Sequence, residues 1–383
     1  MQRLTRQLGV IWPNPEQSLV LQAIFAQPEQ ARAAFFAWRA VLDIEQPFDG
    51  ALMRLLPLLY LRMLKIGLED PLMGRLKGTY RRAWSDTHAL FHGTAPALSV
   101  LRNAGIDTML LKGAQMVLCH YRNYGCRPMA DLDIAVRFGD VEAAVRALTR
   151  AGWKSATRIS RDDLRFRHAI PFRGPDEHEI DLHWHMLFTN CCAQADAPFW
   201  HNQQPITFRD IATSAPVPTL ALLHTLTHGM HPNTETPIRW IADALTLLRD
   251  QQATIDWPLF CDTAAMLGLS HRVLLALTYL QDHHAQEFPA ATLQSLALAR
   301  RTTSETLDLA VISRRARRPR PAIVDRCLLI VAEFFRLVRP QSGLAAIIII
   351  PAFIRYRLGI ASWRSWIGSR LRQVTQGFRQ ALG

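Results

Sequence analysis

The chain has 383 residues, more than one typical domain, with 49% hydrophobic and 20% charged residues, which excludes a disordered chain, a collagen-like repeat and a small disulfide scaffold. Its net charge of +12 is lopsided: residues 300–383 hold 16 Arg against four acids, Glu305, Asp308, Asp325 and Glu333, while residues 1–299 balance to zero. The basicity therefore argues for a tail that meets something anionic and not for a nucleic-acid-binding body.

Residues 17–104 read as helices. One run opens at Pro28-Glu29-Gln30 and reaches about residue 43, a second covers 50–65, and a third covers 71–103. In the second, Leu52, Leu55, Leu56, Leu59 and Met63 fall on one face, as a core-facing helix requires. From Gly105 the apolar period shortens. Residues 106–111 predict a strand ended by Lys112-Gly113, 114–122 a short helix and 123–128 a turn. Across 130–137, Leu132, Ile134 and Val136 point one way and Asp131, Asp133 and Ala135 the other, the period of a strand. A helix over 140–151 ends at Gly152, and three more strands are expected at 153–159, 164–172 and 178–184. The order β-α-β-α-β-β-β predicts an α+β fold with a small mixed sheet and helices on one side. Helices return at 218–229, 237–250 and 257–267, with two more after Ser270, and Arg314-Arg315-Ala316-Arg317-Arg318-Pro319-Arg320 reads as an exposed linker. The expected divisions are a helical region at 1–93, a core at 94–216, a second helical region at 217–299 and a basic segment at 300–383.

Six cysteines, at 119, 126, 191, 192, 261 and 327, show no CxxC pair and read as reduced thiols. The first residues lack the apolar stretch and cleavage site of a secretory signal, so a cytoplasmic protein is expected. The apolar run 344–354 contains Pro351 and falls well short of the ~20 residues of a spanning helix.

Chemistry concentrates in three places. Asp131-x-Asp133 puts two carboxylates on one face of a strand, about 6 to 7 Å apart, where both reach one divalent ion or two neighbouring ions. Asp181-x-His183-x-His185 repeats the pattern on a later strand. If the two strands are neighbours, three carboxylates converge, which suits two-metal phosphoryl chemistry. Leu111-Lys112-Gly113 stands where a strand turns into a helix, and its N–H groups and ammonium are placed to face phosphates.

The segments LLKGAQ, RPMADLDIAV and EIDLHWH, followed by HGM and RWIADAL, resemble the bacterial uncharacterised nucleotidyltransferase family of the DNA polymerase beta-like nucleotidyltransferase superfamily, most strongly over 105–250. The resemblance implies transfer of a nucleoside monophosphate from an NTP with Mg2+ or Mn2+. Asp131 and Asp133 would be the metal ligands and Asp181 the third carboxylate, positioning the acceptor hydroxyl or taking its proton. The superfamily's Gly-Ser turn is replaced by Leu-Lys-Gly, so Lys112 is expected to meet phosphate charge with Gly113, and Arg127 to add a second cation. His183 is expected to brace Asp181; His228, Arg239 and Asp243, in the resembling helical part, are expected to brace the site; and His224 is read as a packing histidine. No motif names the acceptor, whether small molecule, sugar or peptide.

Two other functions compete. One is an NTP-sensing or partner-binding module without catalysis. The other is a metallohydrolase using His183 and His185 with His224, His228 and His231, although no H-E-x-x-H helix is present. In the tail, Phe353, Tyr356, Ile360, Trp363, Ile367 and Leu371 share one side of a helical wheel, while Arg355, Arg370 and Arg372 lie away from it and Arg357 and Arg364 close to it. Such a segment suits an anionic membrane surface, at the inner face, or an acidic partner; it lacks the layout of an RNA-binding module.

Overall fold

The computed structural model describes residues 12–43, 48–156, 159–230, 238–315, 323–338 and 344–357. Helix α1 (Pro15–Phe25) begins where Asn14 and Gln17 close a reciprocal capping box ahead of Pro15, and α2 (Pro28–Val41) opens on Pro28. The single helix expected over 50–65 is two, α3 (Gly50–Met53) and α4 (Leu56–Lys65). Pro57 has no N–H to return to the carbonyl of Met53, so the chain breaks at Arg54-Leu55 and restarts. The apolar face survives the break: Leu52, Leu55, Leu56, Leu59 and Met63 are all buried. Helix α5 (Met73–Asn103) then leads into the sheet.

Strand β1 (Thr108–Leu110) is followed by α6 (Lys112–Gln115) and a π-helical turn, Met116–Tyr121, in place of the plain helix expected there. Arg122 closes that turn with a φ of 49°, and its guanidinium joins His120 on the Asp250 carboxylate. β2 (Asp131–Val136) and α7 (Val141–Arg150) fall where the alternation and the Gly152 stop place them. β3 (Lys154–Ser155) is short, and the strand expected over 164–172 is a helix, α8 (Arg161–Phe166), followed by β4 (Ala169–Arg173). Ser160 with Asp162 and Asp163 is a helix-start signature that the apolar pattern obscured. β5 (Glu179–His183) runs beside β2 in parallel.

Helix α9 (Ala193–His201) and the hairpin of β6 (Gln203–Phe208) and β7 (Ile211–Pro216) complete the sheet and were not foreseen. Pro205 and Pro216 suppress the strand signal, and β6 tolerates its proline because it is an edge. The order is β3-β4-β5-β2-β1-β7-β6, with β1 parallel to β7 and antiparallel to β2. The fold is α+β, as expected, but helices cover both faces. Leu132, Ile134, Val136, Ile180 and Leu182 pack beneath α5 and α7. Met109, Leu111 and Ala135 on the opposite face pack against the helices α10 (Pro218–Gly229), α11 (Arg239–Leu248), α12 (Trp257–Leu267) and α13 (Ser270–His284).

Beyond α14 (Ala290–Leu298) the chain continues as α15 (Thr303–Arg315), α16 (Ile323–Val338) and α17 (Leu344–Arg357). The linker expected over 314–320 begins inside α15, and its residues 316–320 lie outside the described residues, as does most of the wheel from Ile360 onward. Among the described residues no disulfide joins any of the six cysteines. Among the described residues no helix is long and apolar enough to cross a membrane.

Candidate active site

The parallel register of β2 and β5 sets Asp133 opposite Asp181 and Asp131 opposite Glu179. Asp133, Asp181 and His183 offer ligand atoms within 4.8 Å of one another, and they are the only such group among the described residues. His183 faces Ala135, whose small side chain lets the imidazole reach diagonally: its Nε2 lies 2.9 Å from Asp133 Oδ1. The histidine thus braces Asp133, where the sequence had suggested Asp181. Glu179 stays out of the cluster because Arg173 holds its carboxylate at 2.6 Å.

Lys112 donates from Nζ to the same Asp133 oxygen at 2.6 Å, with His183 Nε2 at 3.5 Å. Its backbone lies in the left-handed region, with a φ of 45°, an uncommon conformation for a residue with a Cβ and one often met at functional turns. This places the ammonium over β2. Burial alone would raise the Asp133 carboxyl, but Lys112 and His183 outweigh it and hold the group far below the usual carboxylate range. Asp131 and Asp181 go the other way: burial raises both, and repulsion from Asp133 adds to it. Two half-buried carboxylates therefore stand beside a third without enough cationic charge for all three.

Asp131 and Asp133 form part of the wall of a cavity of about 610 Å³, which Asp181 and His183 do not line. Its cations come from four separate elements: Arg54 at the break between α3 and α4, Lys112, Arg127 and Arg239. Arg127 is buried, and it grips Asp243 with Nε at 3.0 and 3.1 Å and Nη2 at 3.0 Å, while Tyr121 donates its hydroxyl to Asp243 at 3.0 Å. Gly113 packs against this guanidinium so closely that a Cβ there would collide with Nη1. Asp243 thus holds the Arg127 guanidinium in place. Arg239 donates to the Pro128 carbonyl at 2.6 Å, and burial, helped by the charge of Arg127, pushes its pKa down to about 10.

The histidines divide by position. His224 donates from Nε2 to the Met186 carbonyl, 2.9 Å away, and burial pushes its pKa down to about 3. His228 is exposed at the cavity, stacked on His224 with centroids 6.2 Å apart. His185 turns to Asp196 at 2.6 Å, away from the three-residue cluster, and His231 lies outside the described residues. The H-x-H metallohydrolase site is therefore not assembled among the described residues.

The family model described as "uncharacterised nucleotidyltransferase" matches residues 51–284. The chain belongs to this family. No curated protein matches it. The nucleotidyltransferase match runs from α3 to the end of α13, so it takes in the three acids, Lys112 and every residue lining the cavity, and it ends before α15. Two of the site's residues escaped sequence reasoning. Arg54 carries a usable signal only through Pro57, which breaks the helix one turn earlier and leaves Arg54 at the break; His168, whose ring lies 5.3 Å from that of His183, sat in a stretch misread as strand and carried none.

Proposed function

We propose that this nucleotidyltransferase-family protein moves a nucleoside monophosphate from an NTP to an acceptor hydroxyl, with Asp131, Asp133 and Asp181 as its metal-binding acids. The observation that carries the reading is the β2–β5 register, which pairs Asp133 with Asp181 at the rim of a cavity lined by four cations. The donor set fits a hard divalent cation such as Mg2+ or Mn2+: carboxylate oxygens, two of them on groups whose pKa is raised by burial and by repulsion from Asp133, and which want positive charge. Such an ion, when bound, supplies charge neutralisation for the triphosphate and lowers the pKa of the acceptor hydroxyl.

The chain's own residues do the rest. The cavity takes the nucleotide, with Arg54, Lys112 and Arg239 around the phosphates and Arg127 held rigid by Asp243 as the wall behind them. Asp181 lies outside the cavity lining, next to β4, whose Pro171 is exposed opposite it, so the acceptor approaches from that side. The acceptor oxygen bonds to the α-phosphorus, the bond to pyrophosphate breaks, and the hydroxyl proton passes to a carboxylate oxygen of Asp181. A small molecule, a sugar or a peptide hydroxyl all satisfy this chemistry.

One observation favours a second reading, an NTP-binding module without turnover: Lys112 already neutralises Asp133 from 2.6 Å, as a resident cation would. Calorimetric titration of the four NTPs, with and without Mg2+, into the intact protein and into Asp131→Asn separates the two. Metal-dependent binding that the variant loses supports transfer. Binding that ignores both metal and variant supports the module, and no binding by any NTP refutes both.

A further inference from the structure

A surface helix of a globular protein turns its apolar stripe inward and its charges out. Helix α16 has such an inner side, where Ile330 and Phe334 pack against the cluster of Phe166, Ile349 and Phe353, but it carries a second apolar stripe on the outside. Ile323 is 80% exposed, Val324 51%, Val331 42% and Phe335 41%, and Cys327 is exposed between them. Positions 324, 327, 331 and 335 recur at three and four and make one continuous outward stripe. Its two acids are paired within the protein: Asp325 is 1% exposed and takes a hydrogen bond from Arg314 Nε at 2.8 Å, and Glu333 pairs with Arg357 at 3.3 Å. On α17, Ile349 and Phe353 are buried with Phe166, while Ile350 and Ile354, one turn apart, are exposed. Scattered exposed hydrophobes are ordinary; a stripe aligned along one helix, with a further exposed pair on the next, is not.

The acids of this segment are all engaged by partners within the protein. Glu305 accepts the backbone N–H groups of His271 at 2.8 Å and Arg272 at 3.2 Å, and Asp308 holds the Arg272 guanidinium at 2.6 Å. With Asp325 and Glu333 also engaged, the four acids of residues 300–383 are spent internally, against 16 arginines in the same stretch. The outward stripe is aliphatic and aromatic, without polar side chains to read a protein partner's hydrogen bonds. The sequence after Arg357 continues in kind, with Trp363, Trp366, four arginines and no acid.

We propose that the outer face of α16 and α17 rests on an anionic lipid surface, the apolar stripe entering the headgroup boundary and the arginines meeting lipid phosphates. Because no described helix is long and apolar enough to span, the segment lies on the bilayer. It belongs to the part of the chain beyond the family match and does not depend on the transfer reading.

The test is sedimentation of the full-length protein with vesicles of phosphatidylcholine alone and of phosphatidylcholine mixed with phosphatidylglycerol. The expected result is binding to the anionic vesicles only, weakened about tenfold or more on moving from low to high salt. Val331→Glu with Phe335→Glu, and separately Ile323→Glu with Val324→Glu, each lower the partition by about tenfold or more with unchanged circular dichroism, since each removes buried apolar area and adds repulsion. The second pair lies at the more exposed end of the helix, so it keeps the test valid should the first disturb packing. Equal binding to both vesicle types, binding indifferent to all four glutamates, or a stripe whose loss changes only self-association each overturn the proposal.

Discussion

Asp243→Ala removes the partner of a guanidinium that is almost wholly buried. Both side chains of the Arg127–Asp243 pair are 7% exposed and share three hydrogen bonds, and Tyr121 donates to the same carboxylate. Breaking one side of a buried, well-bonded ion pair costs about 3–5 kcal/mol, because the surviving charge stays buried without compensation. The Tyr121 hydroxyl, left without its acceptor, adds about 1 kcal/mol. Urea unfolding should therefore show a large drop in midpoint at constant slope, together with loss of NTP binding as Arg127 swings out of the cavity wall. A double replacement, Arg127→Met with Asp243→Leu, should recover stability to within about 1 kcal/mol, since packed apolar side chains replace a buried pair at little or no cost. It should not recover NTP binding. A loss below about 1 kcal/mol in Asp243→Ala would mean that the pair is solvated like a surface bridge, and the rigid-wall argument would fail.

Two further outcomes test other parts of the site and its frame. Arg54→Ala should weaken NTP binding about tenfold, the worth of one charge-assisted hydrogen bond, and leave the unfolding midpoint unchanged because the side chain is exposed; unaltered affinity would remove the helix break from the nucleotide site. Burial pulls the Asp250 carboxyl upward, but hydrogen bonds from Arg122 and His120 overcome it and bring the pKa to about 2. A folded value below the unfolded one stabilises the protein fully above the ordinary carboxylate pKa of about 3.9 and loses that contribution as pH falls towards the folded value. Carboxyl carbon shifts followed through an acid titration should show this midpoint, and a value at or above the ordinary range would break the link between the π-helical turn and α11.

The sheet half of the site was legible because its chemistry is written in period two. Asp131, Asp133 and Asp181 occupy alternate positions on short apolar strands, and that pattern survives whatever packs around it. The parallel pairing of β2 with β5 could only be posed as a condition, since nothing in either strand names its neighbour. What stayed hidden was set by tertiary contacts or by prolines. Pro57 cut an amphipathic run that otherwise reads as one helix, Pro205 and Pro216 masked an edge hairpin, and the acidic start of α8 was outvoted by the apolar residues after it. Arg127 was read as a free phosphate cation because its partner is 116 residues away, a separation no local pattern spans.

This division also explains how the site is shared out. The acids come from the sheet, and their spacing follows from strand geometry alone, so any chain that keeps the β2 and β5 pattern keeps them. The cavity's cations come from the α3–α4 break, the β1–α6 turn, the loop before β2 and the start of α11, so they converge only when the helical regions dock on the Met109, Leu111 and Ala135 face of the sheet. Docking is fixed by contacts that leave little latitude: Asp243 on the Arg127 guanidinium, which Gly113 backs from within the core, and Arg239 on the Pro128 carbonyl. The three carboxylates are thus a property of the core, whereas the cation-lined wall is a property of its union with the helices. A truncated core of residues 94–216 would keep the three carboxylates and lose two of the four cations, Arg54 and Arg239, together with the Asp243 that fixes a third.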